Sequence, residues 1–94
     1  MLTITDISIF PFEPGSLQPD LKAVAEITLN DSLIIKGIKV FEKKNGSIFI
    51  GYPAIPGKDK EYRDVVVPAN AEVKKLIRDR IVEAYKKEVK GLVE

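Results

Sequence analysis

The chain has 94 residues, 45% of them hydrophobic and 31% charged, with 15 bases against 14 acids, so it is sized and composed as one small globular domain. It has neither Cys nor His, which excludes disulfides, thiolate chemistry and His- or Cys-based metal sites, and removes the commonest general base near neutral pH. No apolar run approaches the roughly 18–20 residues of a membrane span, and Met1-Leu2-Thr3 leads into a strand pattern with no signal region, so the expectation is a cytoplasmic protein with no membrane contact.

The net charge of +1 is unevenly spread: residues 1–30 carry one base and four acids, residues 31–60 six and three, and residues 61–94 eight and seven. The middle third is the basic part. A chain this short buries only about 60–65% of its unfolded surface, so its core is thin and association with a second copy would help it.

In chain order, Thr3 to Phe12 alternates as a half-buried strand, with Thr5, Ile7 and Ile9 on one face and Ile4, Asp6, Ser8 and Phe10 on the other. Glu13 to Asp20 is turn-forming, with Pro14, Gly15 and Pro19. Lys22 to Asn30 gives a second strand that turns Ala23, Ala25, Ile27 and Leu29 inward. Asn30-Asp31 supplies a tight reversal into a third strand, Leu33 to Lys43. There the apolar parity slips, and a bulge at Lys36-Gly37 would restore Leu33, Ile35, Ile38 and Val40 to one face.

Asn45-Gly46 predicts a type I′ turn into a fourth strand, Ser47 to Tyr52. Pro53, Pro56 and Gly57 mark a loop, which continues through Lys58-Asp59-Lys60-Glu61 to a fifth strand at Tyr62–Val67, and Pro68 should stop the sheet. Asn70 is an N-cap residue, and Val73, Leu76, Ile77, Ile81, Ala84 and Tyr85 form the apolar stripe of a helix over about 71–90, with Gly91 as its C-terminal stop. The predicted class is α+β: an antiparallel meander of about five strands with a C-terminal helix packed on it.

The chemistry-bearing candidates are basic. Lys74, Lys75, Arg78, Arg80, Lys86, Lys87 and Lys90 form one set on the helix, suited to a nucleic-acid backbone. Interleaved Glu72, Asp79, Glu83 and Glu88 offer the competing reading of a solvated face, with Lys75/Asp79 and Glu83/Lys87 four residues apart. Lys43, Lys44, Lys58, Lys60 and Arg63 form a second set on loops, beside Tyr52 and Tyr62 as stacking groups for an unpaired base, although hairpin tips are commonly charged for solubility alone. Tyr62-Arg63-Asp64 has no activating partner that would make it catalytic. No Gly-rich phosphate loop or metal-spaced carboxylate pair is present, so neither enzyme activity nor a cofactor is expected.

Ile4-Thr5-Asp6-Ile7, Ala23 through Asn30, Ile34 through Val40, Asn45-Gly46, Tyr52-Pro53, Glu61 through Val65, then Pro68 and Asn70, in that order and spacing, resemble the stage V sporulation protein G (SpoVG) family. The resemblance covers about Ile4 to Tyr85, and treats residues 1–94 as one such domain. It implies a small cytoplasmic homodimer that binds DNA and RNA and regulates septation, sporulation and virulence-type gene expression. Arg63 and Lys74 are the positions that carry over. Ala54 to Gly57 stands where the family has a Ser-Lys-Arg-Thr-like run, and Lys58, Lys60, Arg78 and Arg80 are the substitutes for the missing charge. The alternative reading is a protein-interaction module of the same fold. It would meet a regulatory protein through Phe10-Pro11-Phe12 and Ala54-Ile55-Pro56.

Overall fold

The computed structural model describes residues 2–11 and 20–93, with side chains described as far as Val89. In chain order the elements are β1 (Ile4–Pro11), β2 (Leu21–Leu29), β3 (Leu33–Glu42), β4 (Ile48–Gly51), β5 (Ala54–Pro56), β6 (Tyr62–Asp64) and α1 (Ala71–Val93). Strands β1 to β4 form one antiparallel sheet in sequence order, while β5 and β6 pair separately as a two-stranded sheet. The α+β class, the antiparallel meander and the C-terminal helix agree with the sequence. The last strand departs from it: the segment expected at Tyr62–Val67 is confined to Tyr62–Asp64 and pairs with Ala54–Pro56, which reads as loop, rather than joining the main sheet. Most of the expected turn at Glu13–Asp20 lies outside the described residues.

Bulges decide which residues meet. Ile27 pairs with Ile35 and Ala25 with Ile38, so three steps on β3 oppose two on β2. The extra residue falls at Lys36-Gly37, where Gly37 has φ of +79°. Leu33, Ile35, Ile38 and Val40 thereby share the face of Ala23, Ala25, Ile27 and Leu29, as their spacing predicts. A second bulge, at Thr5, was not expected: Ile4 pairs with Leu29 but Asp6 with Thr28, which brings Ile4 onto the same face as Ile7 and Ile9. The Thr5 hydroxyl accepts from Asp31 N–H (3.0 Å) and donates to the Thr28 carbonyl (3.3 Å), tying the bulge to the β2–β3 turn.

The turns also sort differently from their sequence signals. Asn30 and Asp31 have φ of 51° and 52°, and Ser32 N–H donates to the Leu29 carbonyl at 2.9 Å, which makes this the type I′ turn. At Asn45-Gly46 only Gly46 has positive φ, at +90°. Gly46 N–H reaches the Lys43 carbonyl (2.9 Å) and Ser47 N–H reaches Asn45 Oδ1 (2.9 Å), so the loop has three residues closed by a glycine bulge and not a two-residue type I′ turn. The β5–β6 turn repeats this form, with Lys60 at φ of 66° in the glycine position.

Helix α1 begins as expected, Asn70 Oδ1 accepting from Val73 N–H at 2.9 Å. It runs on through Gly91 to Val93 instead of ending there. Its stripe of Ile77, Ile81 and Tyr85 lies on the sheet face that carries Ile4, Ala23, Ala25, Ile27, Leu29, Ile38 and Val40, and together these make the buried core. Leu76, assigned to that stripe by spacing, is 37% exposed instead. Burying each large aliphatic side chain here is worth about 1.5–3 kcal/mol. The shortest dimension of the molecule, 21 Å, is that of one sheet layer and one helix layer.

Candidate nucleic-acid interface

The helix stripe that faces the sheet leaves the basic side chains on two flanks. On the β4 flank, Arg78 and Lys86 line a groove of about 480 Å³ with Asp79, Val82, Glu83, Gly46 and Ile48. On the β1 flank, Arg80 and Lys87 line a groove of about 270 Å³ with Thr5, Asp6, Ile7, Glu83 and Ala84. Lys74, Lys75, Arg78, Arg80, Lys86 and Lys87 are all exposed. The solvated, ion-paired reading holds for only part of this set. Lys87 Nζ meets Glu83 at 3.3 Å, but Asp79 is taken by Arg78 at 3.1 Å and not by Lys75. Among the described residues Lys74, Lys75, Arg80 and Lys86 have no carboxylate within salt-bridge distance. Both ion pairs are more than half exposed on average and contribute at most about 1 kcal/mol each, so either cation can be turned to another anion at small cost.

The loop candidates separate. Lys43 and Lys44 come together with Lys22, Asp20 and Glu42 around a groove of about 370 Å³ at the β3–β4 turn. Lys58, Lys60 and Arg63 sit on the β5–β6 hairpin, all exposed. Arg63 Nη2 donates to Asp59 Oδ2 at 2.6 Å, and Asp59 Oδ1 accepts from Glu61 N–H at 3.2 Å, so one carboxylate holds both the turn and the guanidinium. Tyr62 beside them is 73% exposed, with a ring free to stack, whereas Tyr52 packs against the core. The Tyr52 hydroxyl is buried without a hydrogen-bond partner among the described residues, and burial, then the nearby Asp64 charge, push its pKa up.

Lys22 is the member of the Lys43–Lys44 group that the sequence reading passed over. The Asn30-Asp31 reversal held the signal, since pairing back from it sets Leu21 opposite Phe41 and so brings Lys22 beside the end of β3. That group is anchored beneath by Tyr85, whose hydroxyl donates to Glu42 Oε1 at 2.8 Å across the helix–sheet interface. Burial, then the Glu42 hydrogen bond and charge, push the Tyr85 phenol up to about 12. Among the described residues no group of three or more carboxylates could hold a metal ion, and no helix is long and apolar enough to cross a membrane.

Residues 2–87 match the family model described as SpoVG. A protein of Bdellovibrio bacteriovorus is 33% identical over 93 residues, covering 99% of this chain and 82% of that one. One of Agathobacter rectalis is 36% identical over 91 residues, covering 97% and 100%, and one of Acetivibrio thermocellus is 32% identical over 93 residues, covering 99% and 95%. Each carries the name "Putative septation protein SpoVG".

Proposed function

The chain belongs to the SpoVG family, and from that premise we propose that it is a cytoplasmic, dimeric, non-catalytic regulator of septation and sporulation gene expression that binds DNA or RNA through backbone phosphates. The observation that carries the nucleic-acid reading is the set of exposed helix cations without a carboxylate partner among the described residues: Lys74 and Lys75 in the first turns, Arg80 and Lys86 further along. Arg78, Arg63, Lys58 and Lys60 add to it from adjoining surfaces. Phosphate contacts of this kind give affinity and position without reading sequence, and duplication across two copies doubles their number. The test is a gel-shift titration of randomised DNA and RNA pools at low salt. Binding at micromolar protein, weakened by Arg63→Ala and Lys74→Ala in chains that stay folded, supports the reading. Absence of a shift with every pool at that concentration removes it.

One observation favours the second reading, a protein-interaction module. Ile55, Tyr62, Val65 and Val67, on and after the β5–β6 hairpin, are 57%, 73%, 55% and 69% exposed, a concentration of exposed large apolar side chains in one short segment of the chain. Nuclease-resistant capture of a regulatory protein by the wild-type chain, lost on Ile55→Asp, would support that module. Capture unaffected by the substitution would remove the hairpin from it.

A further inference from the structure

The chain has three asparagines, and they sit in unlike surroundings. Asn30 Oδ1 accepts from Thr3 N–H at 2.7 Å, and the next nitrogen, that of Asp31, donates to Thr5 Oγ1 at 3.0 Å. Asn70 Oδ1 accepts from Val73 N–H at 2.9 Å, and the next residue, Ala71, begins α1. Asn45 is different. It and Gly46 are both exposed, Gly46 has no side chain, and nothing lies within 4 Å of where one would stand. Asn45 Oδ1 accepts from Ser47 N–H at 2.9 Å, which folds the side chain forward over the Asn45–Gly46 peptide.

We propose that Asn45 is a site of spontaneous deamidation, and that the carboxylate formed there weakens the hold of the surrounding bases on phosphate; the second half rests on the proposed nucleic-acid function. The Gly46 nitrogen, its proton given up to hydroxide, attacks the side-chain carbonyl carbon of Asn45. A cyclic imide forms as the bond from that carbon to the amide nitrogen breaks, and ammonia leaves with a proton taken from water. Water then opens the ring at either carbonyl, giving an aspartate or its isomer with the main chain routed through the side-chain carbonyl. One water is taken up, one ammonia is released, and nothing is oxidised or reduced.

Three features favour the step. Ser47 N–H polarises the carbonyl under attack and stays on its oxygen as negative charge develops there. Lys43 and Lys44, just before Asn45, favour the deprotonated nitrogen over the neutral one. The Gly46 N–H is held by one exposed loop bond, to the Lys43 carbonyl at 2.9 Å, and local opening of such a loop costs far less than global unfolding. At Asn30, by contrast, the following residue brings a side chain and a negative charge of its own.

The new charge falls where bases meet. Gly46 lines the groove of Arg78 and Lys86, and Lys43 and Lys44 line the neighbouring groove with Lys22. Asp79 and Glu83 in the first groove, and Asp20 and Glu42 in the second, already offset most of this charge. Five bases thus stand against four acids, and one more carboxylate on the loop between the grooves cancels the excess. A phosphate backbone approaching either groove is then repelled by position 45.

The test is peptide mapping by mass spectrometry of the full chain held for days at mildly alkaline pH, beside Asn45→Ser. The serine hydroxyl keeps an acceptor for Ser47 N–H and has no amide to lose. Replacement of NH2 by OH should accumulate at Asn45 well before Asn30 or Asn70, and the aged wild type should elute earlier from a cation exchanger while Asn45→Ser does not move. Conversion first at Asn30 or Asn70, or an Asn45 that stays intact, overturns the site. Asn45→Asp, which carries the charge from the start, should bind a labelled duplex about fivefold more weakly at low salt. Equal affinity of Asn45→Asp and the wild type overturns the charge effect. A fresh wild type that binds no duplex fails the proposed function alone, since mass and elution read the conversion without any ligand.

Discussion

Lys60 holds the αL conformation, at φ of 66°, that Gly46 holds in the equivalent position of the β3–β4 loop. A non-glycine residue there costs about 1 kcal/mol, so Lys60→Gly should raise stability by about that amount, read as the midpoint of a urea melt. A melt shifted downward would show that the lysine side chain contributes something the backbone strain hides. The hydroxyl of Tyr52, buried and without a partner among the described residues, makes a second case. Tyr52→Phe removes a polar atom that gains nothing from burial and should be neutral or stabilising by up to about 1 kcal/mol, and clear destabilisation on thermal melting would contradict it.

Tyr85 carries the larger part of the alkaline pH dependence, and Tyr52, also pushed up, adds to it with the same sign. The Tyr85 phenol is held neutral in the fold, with a pKa of about 12 against the usual 10. The unfolded chain therefore loses this proton first. Stability present in full below pH 10 declines as pH rises to 12. Tyr85→Phe should cost on the order of 1–2 kcal/mol near neutral pH, by loss of the bond to Glu42, and should flatten the decline between pH 10 and 12. An alkaline melting profile unchanged by the substitution would place the titration elsewhere. None of these residues announces itself in the sequence: Lys60 reads as one charge in a charged loop, and the Tyr85–Glu42 bond spans 43 positions.

At the scale of elements, what the sequence makes legible follows the strength of its periodicity. Lys22 to Asn30 alternates without interruption and is a strand with the predicted inward face. The Lys36-Gly37 bulge can be read because it must reconcile Ile35 with Ile38. The Thr5 bulge cannot, because Ile7 and Ile9 already satisfy one face and give no reason to move Ile4. The hairpin of β5 and β6 stays hidden because Pro53, Pro56 and Gly57 are loop residues by every local rule, and its three-residue strands are too short for a period. Gly91 reads as a helix stop, but a lone glycine costs only about 1 kcal/mol inside a helix, and no proline follows to enforce an end.

The basic helix set is equally plain in the sequence, but its division into two flanks needs the sheet beneath it, and the division yields a prediction. Alanine at Arg78 and Lys86, on the β4 flank, and alanine at Arg80 and Lys87, on the β1 flank, should not weaken nucleic-acid binding equally. The flank that lies against phosphate should lose about one unit of salt slope per residue replaced. Equal, small losses on both sides would mean that the helix is only a solvated face.

At the scale of the molecule, a single helix covers one face of the sheet and buries the chain's only aliphatic core among the described residues. The outer surface of α1 carries the exposed bases, and the opposite face of the sheet carries Phe10, Ile34 and Phe49. The family and the α+β class are legible from the ordered sequence blocks. Which face remains open is not, because it depends on where α1 docks.

The measurement closest to the centre of this account is the salt dependence of nucleic-acid affinity, followed by fluorescence anisotropy with a labelled duplex and a labelled single strand. Phosphate binding by these bases predicts a straight fall of log affinity with log salt concentration, with a slope of roughly −0.9 for each phosphate neutralised on the duplex, made shallower by alanine at Lys74 and Arg63. Affinity that is insensitive to salt, or no binding to either probe at micromolar protein in low salt, would contradict it.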